Sequence, residues 1–361
     1  MSIKKIFLII VFQLLYFPFA FANNDLTVNL TTNPPANAIV PMHNHPQERL
    51  VHVTLTVRDA QGTVVPNTFI KVHVHSPKKN PIFTTDCPWV EDTHLIEYTV
   101  AALKGIFEFD YTFPIRGTYR FDLQASRDLS SFSEKKSTML KVTEKESIRS
   151  NLIILIGILF GIGTLAGFII GRGAKAKQMA VGFGAFLFLV VAAGVSNTAL
   201  ADGVGAVCNM SNMNNTPAIQ ETASNAQMVL DFKMNPGEGR VGTLNEMKFS
   251  VKDKNGQLVP HTTYELKLWH MEADAPVFIS QFFSPDGLAN LKFQFSDGTE
   301  HEVRVLAHNA LGTIELKKSF DVQRIHPPLL LRGKTEVYLL FVVLLGIIFG
   351  FKLQSRKMRN A

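Results

Sequence analysis

The stretch from Leu152 to Leu200 constrains this chain more than any other. It reads LIILIGILFGIGTLAGFIIG, then RGAKAKQ, then MAVGFGAFLFLVVAAGVSNTAL. Leu152 to Gly171 is 20 residues without a charge, and Met179 to Leu200 is 22. Each run is long enough to cross a hydrocarbon core of about 30 Å at about 1.5 Å per residue. The seven residues between them carry Arg172, Lys175 and Lys177 and no acid. So short a linker cannot carry the chain back across a bilayer. The pattern predicts a membrane hairpin, with transmembrane helices at 151–171 and 179–200 and a basic turn at 172–178. Basic turns stay in the cytoplasm, so the chain on either side of the hairpin is expected outside. The competing reading is a buried hairpin in a soluble core, where two such runs around a basic tip are rare.

Gly157, Gly161, Gly163, Gly167 and Gly171 fall within an arc of about 160° on the first of these helices. The spacing of four along Gly163, Gly167 and Gly171 predicts close helix–helix association. The second helix of the hairpin is the nearest candidate partner, and self-association is the alternative. Neither span contains an Asp, Glu, Lys, Arg or His. An ion or proton pathway needs polar groups at depth, so none is expected here.

The N-terminus has the form of an export signal, residues 1–22. Lys4 and Lys5 precede an apolar run, and Ala20-Phe21-Ala22 supplies small residues for cleavage. A third apolar run, Val337 to Phe351, is 15 residues. It extends to a helix at 335–353 if Lys352 snorkels. A basic tail follows at 354–361, with Arg356, Lys357 and Arg359. Three spans with a cytoplasmic tail agree in parity. A bacterial inner membrane is the expected location, with everything large on the periplasmic side.

Residues 23–150 alternate apolar and polar side chains. LVHVTLTV (50–57), FIKVHVH (69–75), IFEFDYTF (106–113) and YRFDLQA (119–125) have period 2 and are separated by turn residues. Such runs predict antiparallel strands, and this length fits one immunoglobulin-like β-sandwich. The pattern recurs at 226–327, where Tyr264–Trp269, Leu291–Phe295, Glu302–Leu306 and Glu315–Val322 read as strands. Residues 201–225 are rich in Asn, Thr, Ser and Ala and read as a flexible approach segment. The fold class expected is therefore two all-β ectodomains plus transmembrane helices.

The two halves also align. VTLTVRDAQGTVVPNT (53–68) lies without a gap on MKFSVKDKNGQLVPHT (247–262), and RGTYRFDLQA (116–125) on DGTEHEVRVLA (297–307) with one residue added. Each half is an export segment, a β-domain and a membrane helix with a basic end. The second helix finishes in Ala199-Leu200-Ala201, itself a signal-like cleavage pattern. An internal duplication is expected. The alternative is two unrelated β-domains that share Asp/Asn-Gly turn chemistry.

A strand, a D-x-x-G turn, V-P-x-T and a further strand, with a later G-T-Y or G-x-Y hairpin, resembles the YtkA-like and FixH-like extracytoplasmic domains. The matching stretches are Val53–His75 with Gly105–Ala125, and Met247–Trp269 with Gly287–Ala307. The resemblance implies an immunoglobulin-like sandwich and a role in copper handling or respiratory-oxidase maturation. It implies no catalytic residues.

The formal charge of +6 is a topology signal. Residues 23–150 hold 14 basic and 14 acidic groups, and residues 201–336 hold 13 and 16. The excess lies in the signal, the hairpin tip and the tail, so no nucleic-acid surface is expected. The lipid bilayer and a membrane protein complex are the expected partners. The only two cysteines are Cys87 and Cys208, one in each exported half. They are candidates for a disulfide or for inert thiols. Cys208 also opens C-x-M-x-x-M with Met210 and Met213, a soft set suited to Cu(I).

Six of the 11 histidines lie between His43 and His94. His43 and His45 form one H-x-H, in a loop with Met42; His73 and His75 form another. On a strand, residues two apart share a face, so His73 and His75 can reach one ion. Copper is the candidate cofactor, with His43 or His45 completing the set and His52 as a further candidate. The alternative is two solvent-facing histidines on an edge strand and a polar loop. The second half shows no matching histidine cluster, having Trp269, His270 and Met271 in that region. No G-x-S-x-G, H-E-x-x-H or phosphate-binding glycine loop occurs, so enzymatic activity is not expected. Two functions remain: a metal-handling accessory protein, and a non-metal structural or interaction module of a membrane assembly.

Overall fold

The computed structural model describes residues 26–39, 50–80, 85, 87–129, 131–143, 146–171, 218–325 and 329–359. The signal segment, the turn at 172–178, the run 179–200, His43, His45, Cys208, Met210 and Met213 lie outside the described residues.

Alternation along the chain becomes alternation of burial. In β2 (Val51–Arg58) and β3 (Thr68–His75) every second residue is buried. Val53, Leu55 and Val57 from one and Ile70, Val72 and Val74 from the other are at most 1% exposed. Each such side chain contributes roughly 1.5–3 kcal/mol of burial, which makes a one-residue slip of register prohibitive.

The first half pairs in two antiparallel arrays. One is β1 (Thr27–Asn33), β2 and β5 (Ile106–Tyr111), in that order. The other runs β4 (His94–Ala102), β3, β6 (Gly117–Ser126), β7 (Lys136–Val142). The second half repeats the scheme. One array runs β8 (Ile219–Ser224), β9 (Met228–Asn235), β11 (Asn245–Asp253), β14 (Leu288–Phe293). The other runs β13 (Ala275–Ser284), β12 (Thr262–His270), β15 (Glu300–Asn309), β16 (Gly312–Gln323), with the short β10 (Gly239–Arg240) parallel to β16. Strand β8 falls inside 201–225, the segment expected to be a flexible approach; its pairing with β9 orders it. Strand β7 begins at Lys136 and pairs with β6 over its whole length.

The halves join edge to edge, and the joint exchanges the two halves. Ile96, Glu97 and Tyr98 of β4 pair with Phe293, Lys292 and Leu291 of β14. Tyr111, Asp110 and Phe109 of β5 pair with Phe278, Ile279 and Ser280 of β13. Adding 182 to 96–98 gives 278–280, and adding it to 109–111 gives 291–293, so each set of pairs maps onto the other. Ala101 pairs with its own counterpart, Phe283. One hydrophobic core runs through both halves. The seam protects four strand edges that would otherwise be open to pairing with other chains.

The aligned turns coincide in detail. Asp59 Oδ1 accepts from the backbone N–H of Gln61 and Thr63, and Asp253 Oδ1 from Asn255 and Gln257. Gly62 and Gly256 have φ of 82° and 79°, and Asn67 and His261 have 54° and 55°. Thr68 and Thr262 each donate a side-chain hydrogen bond to the carbonyl of the valine three residues before.

Two helices follow the last strands of the halves: α1 (Glu146–Ile170) after β7 and α2 (Leu329–Arg359) after β16. Within them Ser150–Ile170 and Glu336–Arg356 are long and apolar enough to cross a membrane. Their outer faces carry exposed Ile153, Leu165, Val337 and Phe341. They pack on each other through glycine. A Cβ at Gly346 would lie 3.1 Å from the Gly163 Cα, one at Gly350 2.8 Å from the Thr164 carbonyl carbon, and one at Gly171 2.8 Å from Gln354 Cγ. A Cβ at Gly167 would overlap the Ile347 carbonyl. Partner numbers rise together, so the helices run parallel. The glycine face expected to meet the run 179–200, or a second copy, is thus covered by the far C-terminal helix. Small residues here let the backbones approach where a larger side chain would hold them apart.

Candidate functional site

The H-x-H pair of the first half lies on β3 as its period dictates. His73 and His75 are half-buried on one face while Val72 and Val74 point into the core. Register sets their neighbours. His73 stands between Glu97 of β4 and Asp122 of β6, and His75 between His94 and Arg120. His75 Nε2 is 3.0 Å from Asp122 Oδ2, and its ring lies 4.1 Å from that of His94. The Asp122 side chain is only 4% exposed; it also accepts a hydrogen bond from Ser137 Oγ at 2.6 Å and forms ion pairs with Arg120 Nε at 3.2 Å and Lys135 Nζ at 3.4 Å. His52 is apart from this group, its Nδ1 2.7 Å from Asp110 Oδ1.

Burial pushes both imidazoles below their ordinary pKa. For His73, Glu97 works against burial, while Lys71 and His94 reinforce it. For His75, His94 and Arg120 reinforce burial and Asp122 opposes it. Burial alone would raise Asp122, but the Ser137 hydrogen bond and the Arg120, His75 and Lys135 charges outweigh it and hold the carboxyl low. The face therefore presents neutral imidazoles beside an ionised carboxylate at neutral pH, the state in which imidazole ligates metals. Cys87 is half-buried against the core.

The corresponding outer face of the second half is different chemistry. With the halves in register, Lys267 and Trp269 replace His73 and His75, and Arg304 replaces Asp122. Arg304 lies 4.5 Å over the Trp269 ring.

A second group gathers one layer further in, and the sequence reading missed it. His270 at the end of β12, His301 on β15 and Asp297 in the loop before β15 bring their ligand atoms within 4.8 Å of one another. It is the one set of three or more such residues found this close among the described residues. His270 Nε2 is 2.6 Å from Asp297 Oδ2, and His301 Nε2 is 3.6 Å from Asp297 Oδ1. The His side chains are 6% and 2% exposed and the Asp side chain 31%. Burial pushes His301 down to about 4, against the raising effect of Asp297. Burial also disfavours charge on His270, but the hydrogen bond and charge of Asp297 prevail and raise it. The three residues are 27 and 4 positions apart in sequence, with no spacing motif to announce them.

No family model matches the chain, and no curated protein matches it. Among solved structures it is similar to invasin, a bacterial integrin-binding protein, at 8% identity over 84% of this chain and 40% of that one, with a TM-score of 0.20. It is similar to the D0-D1 domain of intimin at 9% identity over 81% and 99%, TM-score 0.21. It is similar to FdeC, an Escherichia coli adhesin, at 11% identity over 83% and 65%, TM-score 0.20. The chain thus spans less than half the length of the invasin chain.

Proposed function

We propose that this chain is a membrane-anchored extracytoplasmic accessory protein. On this reading two copies of one YtkA/FixH-like β-sandwich, derived by internal duplication, stand outside the membrane, and the first binds copper for delivery to a membrane complex. The single observation that carries the anchoring is the parallel packing of α1 and α2 through Gly163, Gly167, Gly346 and Gly350. Each helix is the next element after the last strand of its half, and their parallel packing sends both in the same direction. If α1 crosses the bilayer, the chain has to cross back between 171 and 218 to build β8. The uncharged run 179–200 supplies that crossing, and Arg172, Lys175 and Lys177 assign the turn to the cytoplasm.

The copper assignment is supported by His73 and His75 sharing one face as neutral imidazoles, with His94 beside them. His43 or His45 is the proposed third ligand. The full chain, purified in detergent, is titrated with copper. One equivalent should bind, and His73→Ala with His75→Ala together should abolish it. Binding in the double variant as tight as in the parent would place copper elsewhere.

A second reading, a structural or interaction module without metal, is favoured by one observation. Asp122 already satisfies His75 and is itself held by Ser137, Arg120 and Lys135, as in a purely structural surface network. A parent chain that takes up no copper selects this reading.

A further inference from the structure

We propose that His270, Asp297 and His301 form a binding site for one divalent transition-metal ion, with zinc(II) the best match. The site is independent of the histidine face on β3 and lies in the other half of the chain.

His301 Nδ1 is 3.1 Å from the Thr299 carbonyl oxygen, which accepts only, so Nδ1 carries the proton. On the neutral ring Nε2 then carries a bare lone pair. That lone pair faces Asp297 Oδ1 at 3.6 Å, and Oδ1 is buried without a hydrogen-bond partner. Two acceptors therefore face each other in a buried place with no proton between them. Buried acceptors are seldom left so, and a cation between them resolves the arrangement. The Nδ1–H to carbonyl bond is also the way metal-ligating histidines are oriented in general.

His270 supplies the third ligand. Its Nε2 donates to Asp297 Oδ2 at 2.6 Å, while its Nδ1 accepts the Ala273 N–H at 3.0 Å. A metal takes the place of the Nε2 proton. That proton then resides on Nδ1, and the Ala273 N–H gives up its bond. Ligand distances of about 2.0–2.2 Å put tetrahedral donor atoms about 3.3 Å apart. One ligand atom from each of the three residues lies within 4.8 Å of the others, so small side-chain rotations bring them to that spacing. Two imidazoles and a carboxylate suit zinc, Cu(II) or Fe(II) and not the hard ions Mg²⁺ or Ca²⁺. The partly exposed Asp297 leaves the fourth position to a water.

The supporting structure is built to hold this loop. Trp89 Nε1 of the first half donates to the Ser296 carbonyl at 2.6 Å. Arg324 Nε donates to the Gly298 carbonyl, and a Cβ at Gly298 would overlap Arg324. Packing alone does not call for a histidine at 301, because Tyr119 fills the matching position in the first half.

The test uses the full chain in detergent with His73→Ala and His75→Ala, which removes the other candidate site. Titrated with ZnCl₂ against a MgCl₂ control, it should bind one Zn²⁺ and no Mg²⁺. X-ray absorption at the zinc edge should show two imidazoles and no sulfur, and the Ala273 amide resonance should shift. Asp297→Asn should weaken binding by more than about 100-fold, since changing a residue that only orients a ligand already costs about 10–100-fold. His301→Tyr, which installs the first half's residue, should fold and bind no zinc. Failure of the His73/His75-deleted chain to bind zinc, sulfur ligation, or unchanged affinity in Asp297→Asn overturns the proposal. None of these outcomes depends on whether copper binds at His73 and His75.

Discussion

His301 occupies in the second half the place that Tyr119 occupies in the first. Tyr119 packs against Phe113 with ring centroids 4.8 Å apart, and His301 against Phe295 at the same 4.8 Å. Phe113 in turn touches Tyr111 at 5.0 Å, as Phe295 touches Phe293 at 5.2 Å. The packing is repeated while the chemistry is not. Tyr119 uses its hydroxyl to close a corner, donating to the Ile115 carbonyl and accepting the Ile115 N–H at 3.0 Å. His301 turns its polar atoms toward Thr299 and Asp297 instead.

Tyr119→Phe therefore leaves the Ile115 N–H and carbonyl buried without their partner. A loss of about 1–3 kcal/mol is expected, read as a lowered denaturation midpoint of the detergent-solubilised chain. An unchanged midpoint would mean that the corner is held by packing alone.

Gly105 and Gly287 sit at φ of 72° and 78°, and a Cβ at either would overlap the carbonyl oxygen of Val65 or Val259. Gly105→Ala and Gly287→Ala should each destabilise by more than about 1 kcal/mol, because left-handed strain and a backbone clash add. Gly62→Ala has strain of the same kind but open space around its Cβ, and should be milder. A large effect at only one of Gly105 and Gly287 would argue against equivalent hairpins in the two halves.

Gly167→Leu should separate the helices, because the Ile347 backbone occupies the space its side chain needs. Phe160 and Phe349 have ring centroids 5.8 Å apart. Cysteines at these two positions should cross-link in membranes when Gly167 is present and fail to do so with Gly167→Leu. Equal cross-linking in both would remove the glycine contact from the account.

Trp89→Phe removes the indole N–H bond to Ser296 and should destabilise the chain by about 0.5–1.5 kcal/mol. Unfolding monitored by intrinsic fluorescence of the remaining Trp269 reports it, and no change would mean that this tie between halves is dispensable.

Local patterns were legible in the sequence where they were strong. The alternation in Val51–Arg58 and Thr68–His75 gave strands, the Asp-x-x-Gly turns gave matching hairpins, and uncharged runs gave helices at Glu146–Ile170 and Leu329–Arg359. Strand β4, His94–Ala102, was not legible. Its burial alternates imperfectly, and it is held by β3 on one side and β14 of the other half on the second. Strand β8 is short and polar, and its order comes from pairing with β9. H-x-H spacing placed His73 and His75 on one face, but Asp122, Glu97 and His94 reach them only through register. His270, Asp297 and His301 share no sequence periodicity; only alignment with Tyr119 marks His301 as a polar residue in a core position.

The central claim is that α1 and α2 are parallel anchors, with both β halves on the outer side of the membrane. Alkaline phosphatase, active only outside, tests it most directly when fused after Ser150, at Gln178 and after Pro327. The account predicts activity at Ser150 and Pro327 and none at Gln178. An active fusion at Gln178, or an inactive one after Pro327, would contradict it.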